Sequence, residues 1–202
     1  LKNEPDSRIR VAAYRALKTK KGLLLSYAKI AATDPSMEVR REVALSLRDV
    51  TWHESRTLIK QLFKSYDGQD RWYLEALGSA MENKEELAYA ELLSEQPRQP
   101  FEWSDSFANL IWRLHPKSAV SALKERAMSK SLSDYHKKRA IDALAFINEK
   151  EAVSAMVILG ESEDILVNEL ATWWLDFRKT NEWFSLWDWQ SSDELKFEVP
   201  AK

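Results

Sequence analysis

The sequence predicts an all-α fold in which helix pairs stack one after another along the chain, and three observations carry that expectation. A pattern recurs after 30 residues: Pro5 is answered by Pro35, Ile9 by Val39, Arg10 by Arg40, Ala13 by Val43 and Leu17 by Leu47. Helical self-similarity at about 20 to 50 residues marks stacked repeats, because one helix pair cannot bury its apolar face alone. Only four Gly and six Pro occur in 202 residues, too little punctuation for a sheet with many turns. Ala, Leu, Lys, Glu and Arg dominate, and the apolar residues fall at helical spacing.

The first helix is expected over residues 6–18, with Ile9, Ala12, Ala13, Ala16 and Leu17 on one stripe and Asp6 as its cap. Gly22 separates it from a helix over 23–32. Thr33-Asp34-Pro35 then reads as a cap with Pro in the first turn, where a missing N–H costs nothing, before a helix over 36–48. Helices over 55–65, 70–81 and 84–94 follow, and the offset from one unit to the next widens to about 33, with Asp67 matching Asp34 and Trp72 matching Val39. Pro97 and Pro100 make the clearest interruption and suggest a bend at 96–103. Helices over 104–114, 117–128, 133–147, 149–159 and 162–179 continue the series, and the aromatic stretch 182–189 reads as a short capping helix. The expectation is therefore one repeat domain over 1–190, about twelve helices in six pairs, followed by a polar tail or linker over 191–202.

Charge narrows the function. At 45% hydrophobic and 31% charged, the composition is that of a globular chain and not of a disordered one. A formal net charge of −2 argues against non-specific nucleic-acid binding. The distribution is uneven: residues 1–50 carry 11 Lys+Arg against 6 Asp+Glu, and residues 151–202 carry 4 against 11. Such ends suit neighbours of opposite sign in a multidomain chain, although solvated faces also account for them. No apolar run is long enough to span a membrane and no signal-peptide pattern is present. The opening on Leu1, with a repeat beginning almost at once, suggests a piece of a longer protein.

At Pro35-x-x-x-Val39-Arg40 and its counterpart at Pro5, the chain resembles HEAT repeats. That resemblance implies a right-handed α-α superhelix, with the Val side chain in the core and the Arg in a ladder with acidic groups. Arg10 and Arg40 match the ladder positions, whereas Tyr73 stands where the next Arg is expected. A narrower likeness covers residues 66–78, 107–116 and 142–147, which are similar to the HEAT region of large secreted proteins of planctomycete- and Bacteroidetes-type bacteria. In those proteins a dehydrogenase-like propeller often precedes the repeats and a c-type haem domain often follows. The resemblance thus implies an extracytoplasmic setting, with redox chemistry outside these residues, since a chain without Cys cannot attach haem by a CxxCH motif.

Candidate chemistry is sparse. His53-Glu54 resembles half of a di-iron His-Glu pair, but neither His115 nor His136 is followed by Glu. Asp67, Asp70 and Glu75 cluster as acids that could serve in acid–base work or hold Ca²⁺, and they read equally as a turn, a helix cap and a surface charge. Phosphate-loop, nucleophile-elbow and zinc-protease motifs do not occur. Short basic runs at Lys18, Lys20 and Lys21 and at Lys137-Lys138-Arg139 are diluted by acids. No catalytic residue, metal or cofactor is expected.

The nine Trp are the strongest functional candidates. Trp173 and Trp174 are adjacent and point about 100° apart on a helix, so both cannot centre on one narrow stripe. Trp183 and Trp187 share a face at i, i+4. Aromatic anchors are enriched at interfaces, and they also fill the space between stacked helices. The expected partner-binding residues are Trp72, Tyr73, Trp112, Trp183 and Trp187, and the expected partners are proteins or neighbouring domains of the same chain. An alternative is a DNA-binding enzyme similar to the HEAT-like alkylpurine glycosylases. A third is carbohydrate binding on exposed Trp platforms.

Overall fold

The computed structural model describes residues 3–189. The expected tail over 191–202 lies outside the described residues. Within them the protein is all-helical: eleven α-helices and two short 3-10 turns, with no strand. They divide into two compact units, the described residues up to Gln96 with Ser104–Leu114, and Pro97–Trp103 with the described residues from His115 onward.

The first unit holds α1 (Ser7–Lys18), α2 (Leu24–Ala31), α3 (Met37–Ser46), α4 (Trp52–Lys64), α5 (Arg71–Ala80), α6 (Glu85–Leu93) and α7 (Asp105–Leu114). Its helices alternate between two layers. In one layer α1 packs on α3, α3 on α5 and α5 on α7; in the other α2 packs on α4 and α4 on α6. The apolar stripes meet between the layers, where Val39, Val43, Ile59, Leu62, Leu74 and Leu77 are buried. Phe107 of α7 closes the far side, with the rings of Phe63 and Tyr89 each 6.3 Å away. Polar bonds hold each layer as well. Tyr14 on α1 shares a 2.6 Å hydrogen bond with Ser46 on α3, and Lys60 on α4 reaches Glu91 on α6 and Glu95 just past its end at 3.1 and 2.7 Å.

The second unit repeats this alternation with α8 (Val120–Met128), α9 (Asp134–Ala145), α10 (Lys150–Gly160) and α11 (Ile165–Arg178): α9 lies on α11, and α8 on α10. Its 3-10 turn Pro100–Glu102 is pinned to α8 by Arg126, which donates to the Pro100 carbonyl and lies 5.6 Å from the Trp103 ring centre.

Local signals explain most helix starts. Asp6, Asp70 and Asp164 are N-caps whose carboxylates accept the amides of Arg8, Tyr73 and Val167. Three expectations need correction. Asp34 does not cap α3, because its carboxylate is taken by Arg10 and by the Ser36 amide; Ser36 occupies the cap position and Pro35 lies outside the helix. The fourth helix begins at Trp52, not at residue 55, after Thr51, whose hydroxyl bonds Glu54 at 2.6 Å in a Thr-x-x-Glu start signal. The stretch 182–189 is a run of turns and not a twelfth helix. There the amides reach back three residues, Phe184 to Asn181 and Leu186 to Trp183, and the Trp183 amide reaches Arg178, so the four-residue register of an α-helix is not set.

Candidate functional site: aromatic surfaces in each unit

In the first unit the candidate surface is built on α3, α5 and α7. Asp70 caps the start of α5, and the packing of α5 on α3 turns two adjacent aromatics in opposite directions. Trp72 faces solvent, 71% exposed. Tyr73 turns inward and is 1% exposed, donating its hydroxyl to the Leu62 carbonyl at 2.9 Å. Expected as a contact residue, Tyr73 is instead a core residue, because a helix separates consecutive side chains by about 100° and only one of the two can face out.

Trp112 on α7 is half-buried, and the Arg71 guanidinium lies over its ring at 5.1 Å. Arg71 also bonds Glu75 at 2.6 Å, and Arg113 binds the other oxygen of the same carboxylate. Burial pushes the Glu75 carboxyl up, and the two arginines outweigh it and hold it below the usual range. Arg113 can lie against α5 only because residue 78 is glycine: a Cβ there would come within 2.7 Å of its guanidinium carbon. Beside this brace, Arg41, Leu45, Trp72, Glu75, Ala76 and Ser79 line an open depression of about 420 Å³.

In the second unit Trp183 is fully buried, its indole N–H donating to the Ile147 carbonyl at 3.1 Å and its ring facing the Arg178 guanidinium. It too is a core residue and not a contact. Trp187 is half-buried and lines a depression of about 660 Å³ with Lys117, Lys124, Lys150 and Ile158. The largest exposed aromatic group lies elsewhere. Trp173 and Phe177 on α11, 57% and 50% exposed, stack 5.6 Å apart and nearly parallel, as an i, i+4 pair can. Trp174 stands edge-on to Trp173 and to Phe146, which is itself exposed at the end of α9. The spacing from Trp173 to Phe177 was visible in the sequence, but Phe146 joins the group only through the packing of α9 on α11.

The remaining sequence candidates have ordinary structural places. The Asp67 carboxylate accepts the amides of Gln69 and Asp70, and these bonds hold it below its usual range. His53 is exposed in the first turn of α4. No group of three or more His, Asp or Glu able to hold a metal ion occurs among the described residues.

The arginine ladder has definite geometry. Arg10, four residues past its helix cap, reaches back to the carbonyls of Glu4 and Pro5 and across to both oxygens of Asp34. Arg40, at the same helical position, reaches the carbonyls of Asp34 and Pro35 and lies 5.7 Å from the Tyr73 ring centre. At the position where the sequence pattern leads one to expect another arginine, an aromatic ring thus receives the cation. Lys137 takes the equivalent place in the second unit, four residues past Ser133, and bonds Asp164 at 2.6 Å. It was missed because Lys replaces Arg and no Pro precedes it.

Protein-family models, curated proteins and solved structures yield no match to the chain. Among the described residues, no helix is long and apolar enough to cross a membrane.

Proposed function

We propose that this chain is a non-catalytic helical-repeat scaffold, a right-handed α-α superhelix of the HEAT type, that mediates contacts between proteins or between domains of a larger secreted bacterial protein. The observation carrying this reading is an asymmetry between the two layers within each unit. In the first unit the exposed aromatic borne on a described α-helix, Trp72, lies on α5, and in the second unit Tyr135, Trp173 and Phe177 lie on α9 and α11. Exposed large apolar residues of α2, α6, α8 and α10 are aliphatic or Met: Ile30, Leu87, Met128 and Ile158. Solvent-facing Trp and Phe carry an unfavourable hydration cost that a partner relieves, and such anchors dominate interface energetics. The alternation of layers and the ladder at Arg10, Arg40 and Lys137 favour the superhelical reading of the fold.

Site-specific photo-crosslinking tests the proposal in the native host. A benzophenone side chain at position 72 or 173 should give discrete protein adducts, and the same group at 87 or 128 should not. Equal or absent adducts from both layers would overturn it. So would excision of alkylated purines from duplex DNA by the purified chain, the outcome expected of the glycosylase alternative.

A further inference from the structure

The depression on α3 and α5 constrains its occupant by charge as well as by shape. Its apolar part is formed by Leu45, Ala76 and the exposed Trp72. Its volume, about 420 Å³, lies at the small end of the range for clefts that hold a ligand group. Its polar part is Arg41, Glu75 and Ser79. The one carboxylate lining it, Glu75, is matched by two guanidiniums, Arg71 and Arg113. The acid beside Arg41 in sequence, Glu42, is held instead by Arg15 and by Lys18 at 3.8 Å. With Glu75 already matched by Arg71 and Arg113 from outside the lining, Arg41 is the cation the depression offers beside its apolar floor.

We propose that this depression docks an acidic peptide segment carrying one large apolar side chain, the apolar group resting on Trp72 and Leu45 and a carboxylate facing Arg41. The proposal rests on the contact-scaffold reading and names the partner's chemistry. Charge complementarity of this kind fixes register and speeds association, while the buried anchor supplies the affinity. A nucleic acid suits the site less well, because phosphate recognition depends on many cations along a backbone and this chain has a formal net charge of −2.

The test is selection from a phage-displayed library of random dodecapeptides, with the intact chain as bait and with Arg41→Glu and Trp72→Ala as counter-baits, both checked for native circular dichroism. The expected consensus places two or more Asp or Glu around one aromatic or large aliphatic residue. A synthetic peptide of that sequence should bind each variant at least about tenfold more weakly, and its affinity for the wild type should fall as salt rises. A neutral or basic consensus, no enrichment, or binding indifferent to both variants would overturn the proposal. So would an oligodeoxynucleotide that competes at this site with the same variant dependence. Position-72 crosslinks to a partner surface without acidic groups would leave the scaffold reading standing and remove only this one, whereas loss of crosslinks and peptides together would remove both.

Discussion

Arg10 and Asp34 meet in a two-point ion pair, 2.8 Å at each contact, in which the arginine is only 7% exposed. The pair ties α1 to the turn before α3, and the remaining Arg10 donor is used on the carbonyls of Glu4 and Pro5. Breaking such a pair leaves a carboxylate without its partner, so Arg10→Ala should lower the midpoint of urea unfolding.

The same pair sets an acid dependence. Burial pushes the Asp34 carboxyl up, and hydrogen bonds from Arg10 and the Ser36 amide outweigh it, holding the group below its ordinary 3.8. A carboxyl depressed in the folded state contributes stability that is fully present above its unfolded value and lost as pH falls through the folded one. The stability difference between wild type and Asp34→Asn should therefore be constant above about pH 5 and shrink as pH drops below about 4.

Neighbouring aromatics on α5 should respond in opposite ways. Trp72→Ala should change stability by no more than about 0.5 kcal/mol, since the side chain is mostly in water. Tyr73→Ala should cost about 3–5 kcal/mol through the cavity it leaves. Tyr73→Phe, which removes the hydroxyl and with it the hydrogen bond to the Leu62 carbonyl, should cost about 1 kcal/mol. Thermal melts of the three variants read this directly.

Gly78→Ala should destabilise the protein even though it improves helix propensity. The added methyl meets the middle and end of the Arg113 side chain within 2.7 to 2.8 Å, so the arginine must leave Glu75. Overpacking costs about 1–3 kcal/mol and propensity returns about 1. The expected net loss is about 1 kcal/mol, read by urea unfolding of the variant beside the wild type.

Lys84 is buried with its ammonium donating to the carbonyls of Leu47, Arg48 and Val50 at 2.8 to 2.9 Å. Lys84→Met should cost about 2–3 kcal/mol, because those carbonyls lose their donor. Desolvation lowers the Lys84 pKa from its ordinary 10.5, so the unfolded chain binds the proton more readily between the two values. Stability from this group therefore rises with pH across that window, and the gap between wild type and Lys84→Met should widen as pH approaches 10.5.

Helix placement was largely legible in the sequence because caps and apolar stripes are local. Asp6 and Asp70 act as caps as their positions suggest, and the helices expected at 70–81 and 104–114 lie within one residue of those observed. Longer-range competition was not legible. Nothing near Asp34 in sequence says that Arg10 will take its carboxylate, and nothing near Trp183 says that the Ile147 carbonyl will draw it inside. The candidate surface was legible as a list of aromatics but not as a face. Whether Trp72 or Tyr73 points outward depends on the register of α5 against α3, which a single sequence does not set.

The Lys84 clamp has a consequence for the order in which the first unit comes apart. A stack of repeats can shed its end hairpins one by one when each is held only by apolar contact with the next. Here the α3–α4 turn is capped by a lysine from the turn two helices later, and the turn before α3 is gripped from α1 by Arg10. Neither end can fray without uncapping its neighbour. Amide hydrogen exchange in α1 through α5 should then show one shared opening free energy, a single cooperative block in place of a gradient that weakens toward the terminus.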